Sequence, residues 1–462
     1  MNNRVSLKMI VALAWPTILE EALRTGLQYV DSAMVGRIGA HASAAVGLTM
    51  SAGWVLNGTF AALGAGVLSC IAQAAGRGDE EWMRRACGQA VLLSLISGGL
   101  LGLIAVGVSP FLPGWLGGAE EIRRDAAAYF FITGLPMVFR AASSILGSAL
   151  RAMGNTRTPM QVSALAIGVN IALNYILINP VHTLSAGDVS FTVWGAGLGV
   201  SGAAAASAVS FCINGSLVAA ALWKSPVFRK AKLDPGFCPP VMRECLRVGA
   251  PVTVQRLAIH IGHVVFTALV ADLGTVALAT HSIALIAEQA FYIPGYGMQA
   301  AAGTLAGNAA GRRDSRELRS TVKLIVLLAV ALMTALSLLL FLFPGQIMSI
   351  FTKDPGVISG GAGLLRIVAM SEPLFAVAVI MEGVFNGIGE VKAPFVIDVC
   401  SMWLVRILCA YLCVSQLGLG LNSVWICMVS DNVLRCVLIT LRFFSRDWNG
   451  FLCPLREGKA NV

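Results

Sequence analysis

Asp31 stands in an apolar run that starts at residue 8, fifteen positions after Pro16. A carboxylate at mid-bilayer costs ~2.5–3.5 kcal/mol on insertion scales, so such a group faces a cavity or a partner. Pro16 removes one backbone hydrogen bond and kinks the helix that carries the acid, giving it the character of a hinge. Farther along, Asn170 and Asn174 are spaced i,i+4 and share one helical face. A carboxylate flanked by two amides can hold Na+ through oxygens, or hold a proton once desolvation disfavours its charge. The alternative is a static role, with Asp31 hydrogen-bonded in place to pin the kink.

Other polar residues interrupt apolar runs. Glu20 and Glu21 lie one turn beyond Pro16, with Gln28 on the same helix. Either acid could line an entrance or bind a cationic substrate; alternatively one pairs with Arg24 at i,i+3 or i,i+4. His260 and His263 share a face at i,i+3 and titrate near neutral pH, so a proton role is open, although they read first as polar lining of a cavity. No Cys, His or acid cluster accompanies them, and no metal site is expected. Glu288 and Glu382 could bind cationic compounds, or pair with Arg256, Arg366 or Arg406. Asp398 and Asp431 read as structural, with Arg406 and Arg435 as partners. Met298 and Phe291 could flank a hydrophobic substrate, or simply pack. No Walker A pattern, nucleophile elbow or metalloprotease motif occurs. The chain is therefore not read as an enzyme, and no catalytic residue or cofactor is assigned.

The elements that must position these groups are membrane helices. Of 462 residues, 57% are hydrophobic and 12% charged, with mean hydropathy +0.78. Soluble domains have about 25% charged residues, so a soluble reading is excluded. The runs are too long, and lack the alternation, for an outer-membrane barrel. Twelve spans can be drawn, at 8–35, 42–75, 86–111, 126–150, 158–179, 192–223, 246–270, 275–309, 321–343, 357–386, 393–415 and 420–441. The first is read as a retained helix and not a cleaved signal. With a cytoplasmic N-terminus, 23 of the 33 basic residues fall on the inner side and four on the outer. That asymmetry places both termini in the cytoplasm, in an inner-membrane protein. The pI of 9.1 then reports orientation and contact with anionic lipid, not nucleic-acid binding. The eleven cysteines are scattered without zinc spacing and read as small packing residues.

The two halves repeat with an offset of 235. Pro16 matches Pro251, Gly39 matches Gly274, and Ala74-Ala75-Gly76-Arg77 with Asp79 matches Ala309-Ala310-Gly311-Arg312 with Asp314. Gly154 and Pro159 match Gly389 and Pro394. Six spans per half is an even number, so both halves share one topology, a construction found in transporters with a site at midplane. The expected organisation is an all-α polytopic protein of twelve transmembrane helices in two six-helix repeats. The N-terminal lobe covers 1–223, a cytoplasmic linker 224–245, the C-terminal lobe 246–441 and a cytoplasmic tail 442–462. By register Asp31 corresponds to Phe266, Gln28 to His263 and Asn170 to Val405, so the acid belongs to the first lobe only.

Leu13-Ala14-Trp15-Pro16 with Val30-Asp31-Ser32-Ala33-Met34-Val35-Gly36 resembles the first helix of the MATE (multidrug and toxic compound extrusion) transporters. Ala149-Leu150-Arg151-Ala152-Met153-Gly154-Asn155-Thr156-Arg157-Thr158-Pro159 is similar to the family's loop between helices four and five. Ala279-Thr280-His281-Ser282-Ile283 through Glu288 and Pro294-Gly295-Tyr296-Gly297 resemble its eighth helix. The resemblance covers nearly the whole chain. It implies two six-helix lobes around a cavity and export of organic solutes against inward H+ or Na+. It also implies an Asn and an acidic residue at the two positions in span 5. Here Asn174 stands in place of the acid, which puts a two-carboxylate relay in doubt and, with the span 7 histidines, favours H+. Some relatives have carboxylates in spans 7 and 10; span 7 here has none. The expected partners are small organic substrates and membrane lipid, with the chain a monomer. A lipid-linked oligosaccharide flippase of related architecture is the alternative. It would want a strongly basic cavity, so the six arginines within the spans should cluster in a flippase and pair with acids in an exporter.

Overall fold

In the computed structural model, residues 7–186, 189–229 and 236–448 are described. Arg4, Lys230, Lys232, Arg456 and Lys459, which contribute to the inner-side excess, lie outside them, as does the tail beyond 448. Nine single helices are long and apolar enough to cross a bilayer, and two bent pairs supply one span each. Span 1 (Leu7–Gly36) has 30 residues, about 45 Å at 1.5 Å per residue. It exceeds the charge limit of an ordinary apolar span because it holds Glu20, Glu21, Arg24 and Asp31. Counting it, the described chain has the twelve helical spans expected.

Spans 2 to 6 are Ala40–Arg77, Glu80–Val108, the pair Glu120–Gly134 and Met137–Ala152, Arg157–Ile178, and Gly199–Trp223. Spans 7 to 12 are Pro239–Ala271, Thr275–Gly311, Ser315–Leu342, the pair Pro355–Ala369 and Glu372–Ile388, Lys392–Gln416, and Leu421–Ser445. Large apolar side chains stay exposed along them, Leu103 and Leu327 among others, as a lipid-facing surface requires. In lipid the backbone must satisfy its own hydrogen bonds, which is why apolar runs of this length become helices.

The repeat is legible in the backbone. Span 4 breaks between Gly134 and Met137 with a bend of 52°, and span 10 breaks between Ala369 and Glu372 with a bend of 55°, at the same offset of 235 residues. Gly154 and Gly389 both take left-handed conformations, φ +83° and +81°. At each the following N–H reaches five residues back, Asn155 N to Leu150 O and Glu390 N to Phe385 O, both 3.0 Å. This closes the preceding helix in a Schellman-type cap. The helix ends at Arg77 and Gly311 repeat the device, with Gly78 at φ +71° and Arg313 at φ +58°. Asp314 then caps span 9, accepting from Arg316 N at 3.0 Å and Glu317 N at 2.9 Å.

The register is lost after span 5, where the structure departs from the all-α expectation. Pro180–Ala186 and Val189–Ala196 form an antiparallel hairpin, and span 6 begins at Gly199 rather than 192. The alternation of apolar and polar residues in Val189-Ser190-Phe191-Thr192-Val193 suits a strand. Gly195 is required there, since a Cβ would come within 2.8 Å of the Pro180 carbonyl carbon. The second half joins spans 11 and 12 by a short turn through Gly418, at φ +61°, and Gly420 instead.

The described residues separate into two compact units, one from 7–21, 68–80 and 244–448, the other from within 22–67 and 81–243. In the first, small residues let helices approach closely. A Cβ on Gly387 of span 10 would lie 2.9 Å from Gly303 Cα of span 8. Ser69 Oγ and Gln73 Nε2 of span 2 both donate to Gly387 O, at 3.0 and 3.1 Å. Thr17 Oγ1, beside Pro16, donates to Gly297 O at 2.6 Å. Apolar clusters around Phe385, Trp448 and Met333, and around Trp425, Phe266 and Leu365, form the core of this unit. In the second unit, Val35, Ala42, Ile178, Val200 and Ala203 pack together beside Tyr129.

Candidate functional site

Within the second unit the acid of span 1 meets the amides of span 5. Asn174 Nδ2 donates to Asp31 Oδ1 at 2.5 Å and faces Asn170 Oδ1 at 2.8 Å. Turning the Asn170 amide end for end puts its nitrogen 3.0 Å from Asp31 Oδ1 and lets its oxygen accept from Ser207 N at 3.3 Å. Asn170 and Asn174 are buried and Asp31 half-buried, so the carboxyl stands at the open end of a closed amide pair. The i,i+4 spacing on span 5 makes this possible, because it stacks the two amides one turn apart.

Three contributors were not found from sequence. Ser207 of span 6 closes the amide pair from behind. Tyr129 of span 4 lies within reach of the charges of Asp31 and Arg140. Arg140 sits 4.8 Å over the Phe211 ring, a cation–π seat that leaves Asp31 without a guanidinium partner of its own in that contact. Their signal was a lone Ser, Tyr and Arg in apolar runs, with no spacing rule to connect them.

The first unit carries the other candidates. Glu382 is met by Arg256 Nη2 at 3.3 Å and Gln299 Nε2 at 3.0 Å. Asp398 accepts from Gln255 Nε2 at 2.5 Å. Asp431, fully buried, lies 2.8 Å from Arg406 Nε, receives Arg435 at 3.0 and 2.9 Å, and accepts from Ser401 Oγ at 2.5 Å. Tyr292 donates its hydroxyl to Glu288 Oε1. His281 accepts from Trp425 Nε1 at 3.1 Å, which places its proton on Nε2 in this arrangement. His260 is half-buried near Arg256, and His263 is surface-exposed among the charges of Arg406, Arg435 and Asp431. Met298 lies in the apolar cluster with Ile10 and Ala14, where it fills space. Glu20 is buried, Glu21 half-buried, and Gln28 of the other unit exposed. Among the described residues no group of three metal-ligating side chains gathers.

The halves thus diverge where the repeat would put like with like. Asp31 has Phe266 as its counterpart, a buried ring 5.8 Å below the Arg406 guanidinium. One repeat holds an acid on two amides, and the other pairs Glu382 and Asp431 with arginines while Asp398 rests on the Gln255 amide.

Twelve helical spans, a duplicated half and ionisable groups held inside the spans define a secondary transporter rather than an enzyme. The MatE family model matches residues 16–176 and again 251–412, starting 235 residues apart, and the chain belongs to that family. It is 27% identical over 459 residues to a probable multidrug resistance protein NorM of Thermotoga maritima, covering 97% of this chain and 95% of that protein. A second protein of that name, from Neisseria meningitidis, is 26% identical over 95% of both chains. A MOP superfamily transporter from Pyrococcus furiosus has the same fold, with TM-score 0.87 over 96% of both chains at 23% identity.

Proposed function

We propose that this protein is a secondary active exporter of amphipathic or cationic organic compounds, driven by inward movement of H+ or, failing that, Na+. The observation that carries the reading is Asp31, half-buried in a proline-bearing span and held by Asn174 at 2.5 Å. Protonating Asp31 removes the charge that the amide nitrogen faces, and Na+ would draw the amide oxygens towards the carboxylate instead. Either change alters span 1 above Pro16, and Pro16 lets the two ends of the helix respond separately. Export follows if ion and substrate stabilise different states of two six-helix lobes divided near 224–245. H+ is favoured, since Asn174 supplies no second carboxylate for a metal ion.

The names of the relatives from Thermotoga and Neisseria support multidrug substrates. The chain would work as a monomer in the inner membrane with both termini cytoplasmic. Five of the six arginines within the spans give the flippase alternative no support. Arg256, Arg406 and Arg435 lie against acids, Arg140 over a ring, and Arg366 at an exposed helix end.

The test is efflux of a fluorescent organic cation from proteoliposomes under an imposed pH or Na+ gradient, for wild type and Asp31→Asn. Efflux driven by the pH gradient alone and lost in the variant is expected. No gradient-dependent movement with either ion refutes antiport, and full activity in Asp31→Asn removes coupling from that residue.

A further inference from the structure

Arg140 stands in the first turn after the break in span 4, and the helix that carries it runs on to Ala152, ~18 Å farther along the axis. That is too far for a side chain to snorkel to the interface, so the guanidinium faces the interior of the second unit. Its surroundings supply no counter-charge. The groups whose charges act on it are the Tyr129 phenol and Arg24, itself a cation, and Asp31 acts on Tyr129 but not on Arg140. Among the described residues its side chain forms no ion pair or hydrogen bond; its contact is the Phe211 ring, 4.8 Å away. Arg256, Arg406 and Arg435 of the other unit each lie against an acid.

A mid-span charge without a partner is costly, and a cation–π contact recovers only part of the loss. A ring face takes no conventional hydrogen bond, so the N–H donors of the guanidinium remain for a planar oxyanion, which the fork binds bidentately. Polar groups that complete such a site stand beside it. Ser143, one turn along span 4, donates to Asn214 Oδ1 at 2.9 Å, and Asn214 lies one turn after Phe211 on span 6. The two rows meet because Gly215 has no side chain: a Cβ there would lie 2.7 Å from Phe139 Cα. Arg140, Ser143, Phe211 and Asn214 are all half-buried, so a solute can touch them. Ser207, one turn before Phe211, closes the amide pair that holds Asp31. The acid and the guanidinium therefore make their contacts on span 6 about one turn, ~6 Å, apart.

We propose that Arg140, with the Ser143–Asn214 pair beside it, binds the carboxylate of an amphipathic organic solute, and that the cargo of this exporter therefore includes anionic and zwitterionic compounds. That the bound compound is exported rests on the exporter reading above; the binding site itself does not. The Phe211 and Tyr129 rings offer apolar surface to the body of the solute. In a zwitterion the carboxylate meets Arg140 while the ammonium group lies towards Asp31, whose charge is opposite. The depth of Arg140 in the span sets it apart from the lipid headgroups, which stay at the interface.

The experiment is fluorescence titration of the full-length protein in lipid nanodiscs with dansyl-phenylalanine, which carries a carboxylate, its uncharged methyl ester, and the cation dansylcadaverine. Wild type is expected to bind the acid at least tenfold more tightly than the ester. Arg140→Gln should bring that ratio to about one and Arg140→Lys should keep part of it. Dansylcadaverine should bind Arg140→Gln no more weakly, since a repelling charge has gone. Equal binding of acid and ester by wild type overturns the site. A ratio that survives in Arg140→Gln places the preference elsewhere and overturns the assignment. Loss of all the probes in both variants overturns it too, as it marks Arg140 as a structural residue. Efflux of the same probes from proteoliposomes under a pH gradient separates the two readings. Arg140-dependent binding of the acid with export of dansylcadaverine alone overturns carboxylates as cargo. Export of neither probe refutes the exporter reading and leaves the binding site standing.

Discussion

Asp431→Asn is the substitution whose cost follows most directly from the geometry. The carboxylate is fully buried and stands between Arg406, 2.8 Å away, and Arg435, which meets it with two bonds. Asparagine keeps the shape and one acceptor but turns an N–H donor towards a guanidinium and leaves two buried cations without their shared counter-charge. Breaking a buried ion pair by removing one partner costs about 3–5 kcal/mol. For a chain of this size that corresponds to a fall in unfolding temperature of about 3–5 °C. The assay is thermal unfolding in detergent, read by a thiol-reactive fluorophore, since Cys70, Cys87 and Cys245 are buried and label only as the fold opens. Replacing all three charged members together, with Asp431→Leu, Arg406→Met and Arg435→Met, should recover most of the loss, because an apolar substitute avoids the desolvation penalty. A single Asp431→Asn variant within about 1 °C of wild type refutes the argument, as it would mean that the triad is wet or already compensated.

Gly387→Ala should destabilise the first unit by about 1–3 kcal/mol, as a methyl group there enters the Gly303 backbone; the same thermal assay reads it, and a neutral result would mean that spans 8 and 10 separate at little cost. Arg313→Gly copies Gly78 of the first repeat into a position with φ +58°. It should be neutral or raise stability by up to about 1 kcal/mol, since a side chain in the left-handed region costs about 1–2 kcal/mol and the added chain freedom offsets part of the gain. A clear loss of stability would show that the Arg313 side chain holds the loop.

Legibility of the site differed sharply between the two halves. Asp31, Asn170 and Asn174 were readable because an acid in an apolar run must find polar company and an i,i+4 amide pair offers it on one face. Glu372, in the middle of span 10, was given no role, because no spacing rule ties it to another polar residue. What makes it notable, the absence of any donor, is a property of its neighbours. The partners proposed for Asp431 from sequence, Arg406 and Arg435, are both present, but that one carboxylate serves both and leaves Glu288 and Glu372 short of cations appears only when the helices are packed. The end of the hairpin, 192–196, was absorbed into span 6 because its apolar residues satisfy a hydropathy window as well as a helix does.

Along the chain, composition and periodicity by themselves determined the twelve helical spans, their duplication and the repeated turns at Gly154 and Gly389. The physical reason is local. In lipid a backbone must close its hydrogen bonds within the segment, so run length sets the helices, and glycine marks where the chain turns left-handed. Tertiary structure alone decided which polar side chains meet. Rotation of each helix about its axis is set by how small residues such as Gly303 and Gly387 let backbones touch. That rotation brings Tyr292 to Phe375, aims Arg406 at Asp431 rather than at Glu372, and leaves a buried acid with no donor.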